Sequence, residues 1–332
     1  MIKKSWFYTN IISMIIDKIF EENSVNVVFT TNNKYAKYMT VAIRSLIEQC
    51  SSADRNYDII IFETDVEKEL QNAIESMADD YNNISIRFLN VNSIFAEHKN
   101  ENFFCHIYLS KEMYLRLFIP EILQNYEKAI YIDCDTIIQK DVAELFDIDI
   151  SQHYIGAAKD FNSIVDALVG YEKVKYYFKS ILKIKNMNNY INSGVLLMNL
   201  IKLREIDLTQ KAFKILQTYK ELLYPDQDLL NLICMDNIKY LHPGWNFVFA
   251  INPMLVSNNR VLGSGIEWTK GLADQRIIHY ISEIKPWTHP NMSYGDIWWA
   301  YAKKTPVYQT LLKEFFDAHP ELIAKHSQTP IV

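Results

Sequence analysis

Between Val25 and Asp133 the chain alternates short apolar, β-prone runs with longer amphipathic ones, and this alternation restricts the fold more than any other feature. Val25–Thr31, Tyr57–Phe62, Ile84–Val91 and Ala129–Asp133 read as strands. Tyr35–Glu48 and Val66–Asp79 read as helices, and Lys111–Leu123 as a helix broken near Pro120. Strands separated by helices build a mostly parallel α/β sheet with helices on both faces. The second half is less regular. Tyr154–Ala158, Ser193–Asn199 and Arg276–Ile281 read as strands; Val174–Lys183, Thr209–Tyr219, Asp226–Ile233 and Pro306–Phe316 read as helices. Pro225 stops the helix at Asp226 from extending backwards, so Asp226, Gln227 and Asp228 crowd a helix N-terminus.

Parallel sheets bind ligands beyond the carboxyl ends of their strands. At such an end stand Asp133 and Asp135, one residue apart in Tyr131-Ile132-Asp133-Cys134-Asp135-Thr136. In a continuing strand, residues i and i+2 point the same way, so the two carboxylates converge. Converging carboxylates repel unless a cation lies between them, and hard divalent cations take oxygen ligands beside substrate phosphates. The plain alternative is a strand ending at a solvated turn. Cys134 points away from the pair and reads as a small buried residue.

Forty-nine per cent of the 332 residues are hydrophobic, enough for one large core or two closely joined subdomains. With 8 Gly and 9 Pro, no flexible linker separates independent domains. The net charge of −6 argues against a uniformly basic surface and hence against nucleic acid as partner. Cys50, Cys105, Cys134 and Cys234 form no C-x-x-C pair, so free thiols in a reducing cytoplasm are the simplest reading. Residues 1–24 carry helical apolar periodicity without a signal-peptide core. They read as an amphipathic helix that packs on the domain or touches a membrane peripherally.

Further polar motifs stand at strand ends or helix starts, and six phrases occur in a specific order. They are Val28-Phe29-Thr30-Thr31-Asn32-Asn33-Lys34-Tyr35, Tyr114-Leu115-Arg116-Leu117, Tyr131-Ile132-Asp133-Cys134-Asp135, Tyr190 through Asn199, Tyr224-Pro225-Asp226-Gln227-Asp228, and Ile278-His279-Tyr280 with Lys285-Pro286-Trp287. With these phrases the chain resembles glycosyltransferase family 8 over about residues 25 to 290. The resemblance implies a GT-A fold: a Rossmann-like, mostly parallel central sheet with a helical C-terminal extension over 291–332. It implies transfer of a hexose, glucose or galactose, from a UDP-sugar to a glycan, glycolipid or glycoprotein acceptor, with retention. It also implies a divalent cation, Mn2+ or Mg2+, on Asp133, Asp135 and His279; an imidazole among carboxylates favours Mn2+.

By the same resemblance, Thr30, Asn32, Tyr35, Arg116, Asp133, Cys134, Asp160, Asn192, Ser282 and Lys285 contact the donor. Tyr35 stacks on uracil, Lys285 faces the departing diphosphate, and Gln227 lies beneath the anomeric carbon with Asp226 beside it. Several have a structural alternative: a surface salt bridge for Arg116, strand-end turns for Asp160 and Asn192, a helix cap for Asp226, a core histidine for His279 and an ordinary solvated lysine for Lys285. Many relatives carry Asp at the position of Asn32, Asn at that of Lys34 and Gly at that of Ser282. Asn32 keeps a carbonyl acceptor for a base N–H, while Ser282 hydrogen-bonds or pushes the loop away. His106 and the cluster Trp287, Trp298 and Trp299 read equally as sugar-facing or as core. Two other functions fit the motifs: a glycogenin-like self-glucosylating protein and a catalytically silent nucleotide-sugar-binding module.

Overall fold

The computed structural model describes residues 15–50, 54–98, 101, 103, 110–219, 221–249 and 262–320. A seven-stranded sheet runs through the molecule in the order β3-β2-β1-β4-β7-β6-β8. Its strands are β1 (Ser24–Thr31), β2 (Asn56–Glu63), β3 (Ile84–Asn90), β4 (Lys128–Ile132), β6 (Ile155–Lys159), β7 (Ile191–Asn199) and β8 (Ile238–Tyr240). All neighbours pair in parallel except β7, which runs antiparallel to β4 and β6. A second, three-stranded sheet joins β5 (Thr136–Ile138), β10 (Ile277–His279) and β9 (Phe247–Val248). The α-helices of eight or more described residues are α1 (Asn33–Gln49), α2 (Lys68–Glu75), α3 (Phe161–Leu168), α4 (Leu208–Thr218), α5 (Pro225–Cys234), α6 (Leu262–Ala273), α7 (Gly295–Ala302) and α8 (Tyr308–Ala318).

The period-2 alternation of the strands divides the core in two. Val27, Phe29, Ile59, Ile61, Ile130 and Ile132 pack under α1 with Met39, Ile43 and Leu46. Val28, Ile60, Phe62, Tyr131, Leu196 and Met198 pack on the opposite face with Phe213 and Leu216 of α4 and Leu229 and Leu230 of α5. A third cluster joins Val41 of α1 and Ile137 of β5 to Trp298, Ala302 and Leu311 of the C-terminal helices.

Several segments depart from expectation. Lys111–Phe118 is a 3₁₀ helix followed by one α-turn over Ile119–Ile122, not one α-helix. The helix expected over residues 1–24 falls mostly outside the described residues, and residues 15–23 are not helical. Tertiary partners take the carbonyls that a helix would use: Asp17 O accepts from Arg87 Nη1 and Tyr126 Oη, and Glu22 O accepts from Asn56 Nδ2. Finally, α3 and α6 were not expected as helices, whereas α7 and α8 fall within the helical extension expected over 291–332.

Candidate active site

Strand β4 ends at Ile132, one residue earlier than its pattern suggests, so Asp133-Cys134-Asp135 forms the turn that joins the two sheets. Asp133 N donates to Gly194 O of β7 at 2.8 Å, and Thr136 Oγ1 closes the turn onto Asp133 O at 2.9 Å. The carboxylates converge because of this turn, not because of strand alternation. β10 then pairs antiparallel with β5, setting His279 opposite Thr136 and so beside Asp135.

One donor atom from each of Asp133, Asp135 and His279 lies within 4.8 Å of the other two. The outer oxygens of the carboxylates are already engaged. Asp133 Oδ1 accepts from Arg116 Nη2 at 2.7 Å and Tyr131 Oη at 2.6 Å, and Asp135 Oδ2 accepts from Lys285 Nζ at 2.5 Å. The inner oxygens, Asp133 Oδ2 and Asp135 Oδ1, lie 3.7 and 3.2 Å from His279 Nε2. Burial raises the Asp133 carboxyl above its ordinary range in spite of Arg116. Burial opposes ionisation of Asp135 as well, but Lys285 and His279 outweigh it and hold that carboxyl well below the usual range. Gly194 leaves room for this cradle: a Cβ built there overlaps His279 Cε1 and comes within 2.7 Å of its Nδ1 and 2.8 Å of Asp133 Oδ2. Two inward carboxylate oxygens, one imidazole nitrogen and a floor without a side chain fit a divalent cation that accepts mixed N/O ligands.

Beside the cradle lies a polar wall. A bulge between Ala157 and Lys159 precedes Asp160, whose Oδ1 caps α3 by accepting from Ser163 N at 2.9 Å. Asp160 Oδ2 accepts from Asn192 Nδ2 at 3.1 Å and Gln227 Nε2 at 2.9 Å. Asp160 is therefore both a cap and a member of the site. Arg116 is buried, not a surface ion pair: it links Asp133 to Asp226 Oδ2 at 2.9 Å and donates to Ser193 O at 2.7 Å. Asp226 Oδ2 also accepts from Ser193 Oγ at 2.8 Å, so this carboxylate anchors its neighbours and caps no helix.

At the other end, Asn32 caps α1, its Oδ1 accepting from Tyr35 N at 3.1 Å. Its Nδ2 donates to Glu112 Oε2 at 3.1 Å, and Thr64 Oγ1 donates to Glu112 Oε1 at 3.0 Å. The Asn32 carbonyl expected to face a base is thus occupied by a cap. Cys134 is only partly buried, its thiol donating to Thr30 O at 3.2 Å. Ser282 has φ +79°, the left-handed backbone that favours glycine, and its Oγ accepts from Ile284 N at 3.4 Å.

All of the expected site residues, from Thr30 and Tyr35 through Arg116, Asp133, Cys134 and Asp135 to Gln227, His279, Ser282 and Lys285, line one open cavity of about 690 Å³. Sequence reasoning missed Glu112 and Asn246. Nothing marks either in the sequence, because each acts through burial and hydrogen bonding. Of the Trp cluster, Trp298 is fully buried in the core, while Trp287 and Trp299 are partly buried against it, Trp287 stacking on Tyr38 with centroids 4.0 Å apart. His106 lies outside the described residues.

The chain is similar to several known proteins. A chain described as a putative glycosyltransferase of Haemophilus influenzae is 32% identical over 238 residues, covering 71% of this chain and 67% of that protein. The general stress protein A of Bacillus subtilis is 24% identical over 294 residues, covering 86% and 95% of the two chains. Lipopolysaccharide 1,2-glucosyltransferase of Escherichia coli is 25% identical over 201 residues, covering 57% and 54%. Among solved structures, the galactosyltransferase LgtC with donor and acceptor sugar analogs superposes with a TM-score of 0.71 at 22% identity, covering 85% of this chain and 96% of that one. The bifunctional glycosyltransferase WbbM does so with 0.77 at 23%, covering 90% and 53%. These two likenesses establish the GT-A-like fold. The family model for glycosyl transferase family 8 matches residues 26–290, and the chain belongs to that family.

Proposed function

We propose that this glycosyltransferase moves glucose or galactose from a UDP-hexose to a glycan or glycoconjugate acceptor, with retention, and forms an α-linkage. One observation carries the reading. A single cavity of about 690 Å³, within the range of small-molecule sites, holds the Asp133/Asp135/His279 cradle, Lys285 and the Asp160/Asn192/Gln227 wall together.

Mn2+ or Mg2+ bound by Asp133, Asp135 and His279 would supply Lewis-acid stabilisation of the leaving diphosphate. Lys285, tethered to Asp135 and to Tyr280 O at 2.5 Å, brings a second positive charge to the same side. Arg116 fixes Asp133 and Asp226 so that the cradle is formed before substrate arrives. Tyr35 offers a ring face for the base at the far end. Asp160, Asn192 and Gln227 present the polar groups that orient the hexose.

Retention agrees with the wall's hydrogen bonding. Gln227 carries an amide, a poor nucleophile. The carboxylates beside it are engaged, Asp160 with two amides and Ser163 N, Asp226 with Arg116 and Ser193. These hydrogen bonds engage both oxygens of Asp160 and Oδ2 of Asp226 and lower the nucleophilicity and basicity of the two carboxylates. An acceptor hydroxyl would then pass its proton to the departing phosphate on the near face. The free thiols of Cys50, Cys134 and Cys234 agree with action in the cytoplasm, at the inner face of the membrane or away from it.

The test is UDP release from UDP-glucose and UDP-galactose with Mn2+. Release is expected from the wild type, and its loss is expected with EDTA and in Asp135→Ala. Full activity under either condition rejects the assignment of the cradle.

A further inference from the structure

The polar wall and the Asp133/Asp135/His279 cradle are joined by one side chain, Asn246. Asn246 is buried in the turn before β9. Its Nδ2 donates to Asn192 Oδ1 at 2.8 Å, and its Oδ1 lies 2.9 Å from His279 Nδ1. We infer that Asp160, Asn192 and Asn246 form a directional hydrogen-bond relay that fixes the tautomer of His279, which makes Asn246 a positioning residue coupling the sugar wall to the metal. The inference rests on the metal-binding reading given above.

The direction follows from what each group can donate. The Asp160 carboxylate only accepts, so it selects the Nδ2 side of Asn192. The backbone N–H of Gly194 only donates, and it meets Asn192 Oδ1 at 2.9 Å, which fixes the same orientation independently. Asn192 therefore turns an acceptor toward Asn246, and Asn246 must answer with Nδ2. Its remaining group, Oδ1, then faces His279 and can only accept, so the ring proton sits on Nδ1. That leaves the Nε2 lone pair directed at Asp133 Oδ2 and Asp135 Oδ1, the three atoms of the cradle. If Asn246 were reversed, its amide donor would meet Nδ1, the proton would move to Nε2, and the nitrogen that faces the carboxylates could not bind a cation. Metal-bound histidines in general owe their orientation and tautomer to such partners.

The decisive experiment is a rescue. Mn2+ is titrated into the UDP-saturated wild type, Asn192→Leu, Asn246→Asp and the double variant, with binding read by EPR of the free ion. Asn192→Leu removes the group that orients Asn246, so affinity should fall by about tenfold or more although Asn192 lies outside the cradle. The carboxylate of Asn246→Asp accepts in either orientation, so that variant should bind Mn2+ within about threefold of the wild type. It turns an acceptor toward Asn192 Oδ1, however, and kcat/KM for the UDP-hexose should drop. The double variant should recover Mn2+ affinity lost in Asn192→Leu.

A purely structural role predicts additive losses, and additive losses overturn the relay, as does unchanged affinity in Asn192→Leu. If the wild type itself binds no Mn2+, the metal-binding reading fails and the relay falls with it. If Asn192→Leu does not fold, 15N NMR of the histidines in metal-free wild type at alkaline pH decides. A protonated Nδ1 with a bare Nε2 on His279 supports the relay, and any other state overturns it.

Discussion

Gly194 shows how a single residue can set the site by having no side chain. It sits in β7 against Asp133 and His279, and any Cβ there collides with both. Gly194→Ala should weaken Mn2+ binding sharply while the protein still folds, measurable by EPR and circular dichroism; wild-type affinity in that variant would show that the cradle tolerates widening. On the proposed function Lys285 contributes charge to the diphosphate, not shape. Its charge-assisted hydrogen bond contributes roughly 1.5–3 kcal/mol, so Lys285→Ala should lose on the order of ten- to a hundredfold in kcat/KM for the donor. Steady-state kinetics that show no loss would make it an ordinary surface lysine.

Asp228, next to Gln227, behaves differently. Burial pushes its carboxyl up to about 7 from 3.8, against donation from Tyr177 and Tyr190. A raised carboxyl stabilises the fold fully below its unfolded value, and that contribution is lost as pH rises toward the folded value. The Tm of Asp228→Asn minus that of wild type should therefore grow from about pH 4 to about pH 8, and a flat difference would contradict this. At this scale Asp133 and Asp135 stood out in the sequence as carboxylates at a strand end, whereas His279 and Lys285 were marked only by the family resemblance; the structure brings the four side chains together. Asn246, Glu112 and the spatial role of Gly194 were not legible, because an amide, a buried carboxylate and an absent side chain acquire meaning only from neighbours far away in the chain.

The C-terminal helices act as an element on the loop that carries Lys285. Trp287 stacks on Tyr38 of α1, Trp299 Nε1 donates to Pro286 O at 2.9 Å, and Tyr280 Oη donates to Tyr294 O at 2.7 Å. Lys304 pairs with Glu48 and Lys37 with Glu314, closing α7 and α8 onto α1. We propose that the described part of the C-terminal extension, residues 291–320, serves as a brace for the loop. Trp298→Ala should cost about 3–5 kcal/mol of stability, measured by urea unfolding. Trp287→Ala should raise the donor KM more than it lowers Tm, because Trp287 is less buried and nearer to Lys285; the reverse order would contradict the brace.

Element boundaries were legible where period and caps agreed, as in β1, α1, β2 and α5. α3 was missed although Phe161, Ile164, Val165 and Leu168 have helical spacing behind the cap Asp160, because Lys159-Asp160 also reads as a strand end. α7 lies within the expected helical extension, but its bounds were not legible because Trp298, Trp299 and Tyr301 spread apolar surface around the helix and blur its period.

At the scale of the whole molecule, the sheet order explains why distant motifs meet. β1, β4 and β7 are neighbours, so the turn after β1, the acidic turn after β4 and the start of antiparallel β7 reach the same edge. The small second sheet then folds His279 back over that edge. Alternation in the sequence made the parallel half of this plan readable. The antiparallel entry of β7 and the pairing of β5 with β10 depend on long-range contacts that no local pattern encodes. The account's central claim is that this edge carries out retaining transfer from a UDP-hexose. NMR of the product formed from UDP-glucose or UDP-galactose, with Mn2+ and a panel of glycan acceptors, tests it most directly. The account predicts an α anomeric linkage whose formation stops with EDTA; a β linkage would contradict it.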